Sequence, residues 1–143
     1  MLHKTFILIC LICALTICCS PQKVIERAGS RHIELTEGQE SPVKGSPIRV
    51  KFKGISEDSR CPQGANCIWA GVAVAQIEIR DQSAEPVILD LATTDLQQSG
   101  YQKSAIYKSY SFSLLSVDPY PTQQHAVHTL KGKYKIAITV QKQ

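Results

Sequence analysis

Beyond residue 30 this chain repeats one pattern, an apolar side chain at every second position, and that pattern favours strands over any other element. Ile33 and Leu35 alternate with polar neighbours. Ile48, Val50 and Phe52 alternate with Arg49, Lys51 and Lys53. Ile77 and Ile79 stand against Gln76, Glu78 and Arg80. Val87, Leu89 and Leu91 form another inward set, and Tyr110, Phe112 and Leu114 alternate with serines. The last set is Tyr134, Ile136, Ile138 and Val140. Successive strand side chains point to opposite faces, so each set buries one face and wets the other. No stretch after the N-terminal segment recurs at helical spacing.

Turn signals separate these sets: Glu37 to Pro42, Lys44-Gly45-Ser46-Pro47, Asp81 to Ala84, and the pair Pro119 and Pro121. The polar, Gln-rich stretch Thr93 to Lys103 reads as a connection crossing between sheets. Ile68 to Arg80 reads as one long strand with a conflict inside it. Val72 and Val74 have the wrong parity for Ile77 and Ile79. Either a bulge sits near Ala75 and Gln76, or the near end is buried on both faces. Leu130-Lys131-Gly132-Lys133-Tyr134 has the spacing of a tyrosine corner, in which a Tyr hydroxyl bonds back to the upstream backbone. Together these signals predict an all-β chain, an immunoglobulin-like Greek-key β-sandwich of about seven strands, as one domain over residues 31–143.

The N-terminus is a targeting signal. His3 and Lys4 are followed by an apolar run from Phe6 to Cys19, short of the ~20 residues that a membrane span needs. Leu15-Thr16-Ile17-Cys18-Cys19-Ser20 resembles the lipobox of a bacterial lipoprotein, where a small residue precedes a cysteine that is lipidated. Cys19 fits better than Cys18, because Cys18 precedes it whereas bulky Ile17 precedes Cys18. Residues 1–19 are therefore expected to be a signal peptide with a lipobox-like end, and 20–30 a polar tether. The expected partner through that lipid anchor is the membrane of the bacterial cell envelope, with periplasmic or secreted release as the alternative.

This reading leaves two of the six cysteines, Cys61 and Cys67, for the folded part. In an exported chain they are expected to form one disulfide, closing a loop that Pro62 and Gly64 help to turn. A redox pair would favour Cys-x-x-Cys, and a metal site would need further ligands. His125 and His128 do not supply them, since strand positions three apart face opposite ways. No metal and no cofactor are expected. No nucleophile stands beside a His with an orienting carboxylate and no Gly-rich phosphate loop occurs, so an enzyme is not expected. The charge balance, 16 Lys and Arg against 12 Asp and Glu, is only mildly basic. Its densest runs, Arg49/Lys51/Lys53 and Lys131/Lys133/Lys135, alternate with apolar residues as wet strand faces do, so nucleic acid is not an expected partner.

The candidate binding loop comprises Glu57, Asp58, Arg60, Asn66 and Trp69. Glu57, Asp58 and Arg60 either form a polar recognition patch or hold the loop in shape, and loop-holding is the expected role. Trp69 either stacks on a sugar or a partner from the rim, or packs in the core against the disulfide. The apolar residues that follow favour the core.

The leader ending in cysteine and the run Phe52-x-Gly54-Ile55-x-Glu57-Asp58-Ser59-Arg60-Cys61-Pro62-x-Gly64-x-x-Cys67-Ile68-Trp69-Ala70-Gly71 resemble a group of small, functionally uncharacterised bacterial lipoproteins or secreted proteins of Bacteroidetes-type genomes. The resemblance implies an exported single-domain β protein and transfers no activity. The expected function is a lipid-anchored envelope binding module with a protein or glycan partner. The alternative is an inhibitor of a secreted or envelope enzyme acting through the Cys61–Cys67 loop.

Overall fold

Two four-stranded antiparallel sheets form the computed structural model, which describes residues 30–143. The leader, the Cys19 and Cys18 alternatives and the tether as far as residue 29 lie outside the described residues. The strands are β1 (Ser30–Thr36), β2 (Glu40–Pro42), β3 (Ile48–Asp58), β4 (Ala73–Asp81), β5 (Ala84–Ala92), β6 (Ser104–Tyr107), β7 (Tyr110–Asp118) and β8 (Lys135–Lys142). One sheet has the order β1-β8-β7-β6 and the other β2-β3-β4-β5. The alternating sets meet between the sheets. Val50, Phe52, Ile77 and Ile79 come from one sheet, and Phe112, Leu114, Ile136 and Ile138 from the other, all in one buried cluster. Short 3₁₀ turns at Gln97–Ser99 and Val127–Thr129 are the only helical turns among the described residues.

The β-sandwich is as the alternation predicts, but its strand order is not Greek-key. A Greek key needs a strand that returns by a long connection beside the first of three hairpin-linked strands. Here each neighbour within a sheet is also the next strand in sequence, save that β8 comes to rest beside β1. The order is an up-and-down circuit. Tight turns at Gln82-Ser83 and Lys108-Ser109 lay β5 against β4 and β7 against β6, while longer connections return β4 beside β3 and β8 beside β7. The strands number eight because β2 and β6, of three and four residues, are too short to show a period in the sequence.

The chain passes from one sheet to the other between β1 and β2. The Glu37 amide donates to the Tyr134 carbonyl, and the next amide, at Gly38, donates to the Phe52 carbonyl. Such a corner lets one strand serve both sheets. Gly38 adopts φ +84° there.

The parity conflict in β4 resolves as burial on both faces. Ala73, Ala75, Ile77 and Ile79 face the main core, while Val72 and Val74 pack on the other side with Ala92 and the partly buried Tyr101. The bulges lie in the partner strand, where Lys53 and Ser56 of β3 are skipped in the pairing with β4. The strand itself begins at Ala73, so Ile68 to Gly71 is not strand as the sequence suggested. Val87, expected inward, is 37% exposed, because β5 is an edge strand with no neighbour beyond it.

The sandwich has two distinct ends. At one, Ser30 pairs with Gln141, Tyr110 pairs with Lys142, and Lys108 Nζ lies 2.6 Å from Asp81 Oδ2 across the sheets. At the other, Thr36 and Asp118 pair with Lys135, and Asp58 pairs with Ala73. The cysteine loop follows Asp58. It therefore projects from the end opposite Ser30.

Gly71 sets the departure of that loop. Its φ is +75°, and a Cβ there would lie 1.9 Å from the Ser59 carbonyl oxygen. Gly71→Ala is expected to destabilise the domain by about 3 kcal/mol or more, since strained backbone and overpacking add. Urea denaturation measures this, and a loss under about 1 kcal/mol would contradict the reading.

Candidate functional site

The loop is closed by the Cys61–Cys67 disulfide, with Cα atoms 6.0 Å apart. Inside it Ala65 N donates to the Pro62 carbonyl, completing a turn in which Gly64 takes φ +82°. The ring is clipped to the chain that follows β7. Gln63 N donates to the Pro121 carbonyl at 2.9 Å, and Gln123 Nε2 donates to the Gly64 carbonyl at 2.7 Å. Its stem is held too, because Ser59 N donates to the Val72 carbonyl and Cys61 N to the Ala70 carbonyl. The loop is thus braced on two sides while Asn66, Cys67, Ile68 and Trp69 stay exposed.

Trp69 is not a core residue. It is 50% exposed, and its neighbour Ile68 is fully exposed. The reversal at Gly71 turns the chain before β4 begins, so the small residues Ala73 and Ala75 fill the core positions instead. The disulfide lies at the surface and offers no interior slot for an indole, with Cys67 exposed.

Asp58 and Arg60 take the loop-holding role. Their side chains are 1% and 4% exposed. Arg60 Nε donates to Asp58 Oδ1 at 2.8 Å and Nη2 to Oδ2 at 2.7 Å, a two-pronged pairing. The rest of the guanidinium reaches into the chain after β7. Nη1 donates to the Val117 carbonyl at 2.7 Å, and Nη2 to the Pro119 carbonyl at 3.1 Å. The Tyr120 ring covers it, with its centroid 4.8 Å from Cζ. Glu57, the third polar residue, is exposed and accepts a 2.8 Å hydrogen bond from the Tyr101 hydroxyl, which raises the Tyr101 pKa. That bond ties the end of β3 to the crossing connection.

Tyr134 completes the buried group in place of a tyrosine corner. Its hydroxyl donates to Asp58 Oδ2 at 3.0 Å rather than to the upstream backbone. Burial, and then the bond to the Asp58 carboxylate, push the phenol pKa from 10 up to about 12. The ionised phenolate would face that carboxylate without a proton to share.

Beside this group lies an open groove of about 570 Å³. Trp69, Leu96 and Tyr120 give it an apolar wall. Thr93, Thr94, Ser116 and Asp118 give it hydroxyl and carboxylate groups, and Arg60 forms part of the floor. Asp118 Oδ2 accepts from Ser116 Oγ at 3.0 Å. Leu96, Ser116, Asp118 and Tyr120 were not candidate residues on sequence grounds. The one available signal was the spacing of Pro119 and Pro121 around Tyr120, which reads equally as the end of a strand.

His125 and His128 are exposed, with the His125 amide donating to Thr122 Oγ1. Among the described residues no three His, Cys, Asp or Glu side chains gather as a metal site would require. No helix of the described residues is long and apolar enough to cross a membrane. The disulfide points to a non-cytoplasmic compartment. No family model, curated protein or solved structure matches this chain.

Removing one partner of the buried pair leaves the other charge uncompensated. Asp58→Asn is expected to cost about 3–5 kcal/mol in denaturation, well beyond a surface substitution. Tyr134→Phe, which deletes one bond to a charged acceptor, should cost about 1.5–3 kcal/mol. The raised phenol pKa also fixes a direction with pH. Because the folded-state pKa lies above the ordinary value, the contribution of Tyr134 is complete below pH 10 and is lost as pH rises toward 12. Phenolate absorbance followed during alkaline titration should show Tyr134 ionising last, after Tyr101, whose pKa is also raised, and that latest component should vanish in Tyr134→Phe.

Proposed function

We propose that this chain is a lipid-anchored binding module of the bacterial cell envelope, with the braced cysteine loop and adjoining groove as its contact surface. The observation that carries this reading is the position of the loop. It is held rigidly, it exposes Ile68 and Trp69, and it leaves the sandwich at the end opposite Ser30. A lipid on Cys19 would then join the domain at its near end, and the loop would face away from the membrane. Irregular segments on a rigid sandwich are where recognition concentrates, because the scaffold bears the cost of ordering them.

The same loop supports a second reading, an inhibitor whose ring enters the cleft of a secreted or envelope enzyme. What favours it is Ile68, fully exposed within a segment ordered before any partner arrives. An inhibitor would form a stable complex with a hydrolase and lower its activity. A binding module would leave activity intact.

Cys61→Ser/Cys67→Ser should open the ring while the sandwich stays folded, at a cost of about 2–2.5 kcal/mol from the short closed loop. Pull-downs from envelope extracts with the intact protein and this variant test the contact surface. Partners retained by the intact protein alone are expected, and equal capture by both would remove the loop from the interface. Mass measurement of the mature N-terminus tests the anchor. An acylated Cys19 is expected, and a start at Ser20 or later, or a retained Met1, would exclude it.

A further inference from the structure

We propose that the groove between Trp69 and Tyr120 is a saccharide-binding site that takes uncharged sugar rings. This rests on the tip being the contact surface and names what occupies it. The groove's volume, about 570 Å³, falls in the range of ligand sites, about 300–1,000 Å³. Its lining narrows the ligand class by elimination.

The only charged side chains in the lining are Arg60 and Asp118. Four of the five Arg60 guanidinium N–H groups are taken and its charge is offset by Asp58, so it offers an anion little. Its guanidinium is committed to the Asp58 carboxylate and to the Val117 and Pro119 carbonyls, and its face is covered by Tyr120. Phosphates, carboxylated sugars and nucleic acids therefore meet no available cation here, and Asp118 repels them. What remains is the Asp118 carboxylate, the Thr94 hydroxyl and Ser116 Oγ as an acceptor, in a lining that also holds Leu96 and two aromatic residues.

That lining suits a ring with apolar faces and a hydroxyl rim. Trp69 is 50% and Tyr120 41% exposed, although both line the groove, so each has surface left to give to a ligand. Aromatic faces are electron-rich and accept the C–H groups of a sugar face, while the rim hydroxyls need acceptors such as Asp118. Ser116 occupies Oδ2 of that carboxylate, and Oδ1 is the acceptor for a sugar hydroxyl.

A peptide main chain is the weaker fit. An added strand needs a ladder of backbone donors and acceptors. Several carbonyls at or next to the groove are already used within the chain: Ala70 by Cys61, Val72 by Ser59, Ala73 by Thr93, and Val117 and Pro119 by Arg60.

Trp69 is the only tryptophan, so its emission reports the groove directly. The test titrates the mature protein with cellohexaose, xylohexaose and chitohexaose, beside a heparin hexasaccharide and a decaproline peptide. A saturable change in Trp69 emission with at least one neutral hexasaccharide is expected. In calorimetry, Trp69→Ala should weaken that binding by about tenfold or more, and Asp118→Asn by a smaller factor. Trp69 is at the surface, so its variant should keep the wild-type melting temperature. No response to all three neutral hexasaccharides at millimolar concentration would overturn the proposal. So would binding that survives Trp69→Ala unchanged. Binding of decaproline alone would replace the sugar with a peptide and leave the tip as the contact surface. Binding of the heparin fragment alone would refute the charge argument. Equal capture by the ring-opened variant in the pull-down, in contrast, would remove the tip itself.

Discussion

The ion pair between Asp58 and Arg60 holds together the parts of this fold that the strands alone do not. It lies where β3 ends, where the loop begins and where the chain leaves β7. Burying two charges carries a desolvation cost that attraction repays only when geometry is good and the remaining donors are satisfied. Both conditions hold. The carboxylate takes two guanidinium bonds and a tyrosine hydroxyl, and the guanidinium's other bonds end on two carbonyls. No buried polar side-chain atom of the described residues lacks a partner. An interior built this way tolerates one arrangement of the three segments and penalises others, because any shift would strand a charge away from water.

The disulfide and the ion pair work over different ranges. The disulfide joins cysteines six positions apart and shapes a ring. Arg60 reaches carbonyls 57 and 59 positions away and fixes that ring to the body of the sandwich. A small ring on an unbraced stem would still swing. Here the stem is paired to the start of β4 and the ring to Pro121 and Gln123. The groove inherits this order, since Trp69 comes from the loop, Tyr120 from the segment after β7 and Leu96 from the crossing connection.

The strands were legible because period two is a strong signal wherever one face is dry. Phe52, Phe112 and Ile138 lie in the core as their spacing suggests. Strand order was not legible, because an up-and-down circuit and a Greek key use the same inward faces and differ only in which strand neighbours which. Trp69 misled for a physical reason. Its apolar company in sequence looks like a strand, but the reversal at Gly71, imposed by close approach to Ser59, takes it out of the sheet before β4 forms. Tyr134 misled in a related way: its spacing was right, and a buried carboxylate outcompeted the backbone as its acceptor. That Asp58 and Arg60 hold the loop followed from their positions in the motif. Their partners at Val117, Pro119 and Tyr120 did not, since nothing local to residue 60 records them.

The opposed ends of the sandwich have a mechanical consequence. Ser30 enters on β1, which runs antiparallel to β8 through seven paired positions from Ser30↔Gln141 to Thr36↔Lys135. A tension applied at Ser30 and resisted at the cysteine loop is directed along the strands. It would shear all the rungs between β1 and β8 at once instead of peeling them apart in turn, so the seven pairs would bear such a load together.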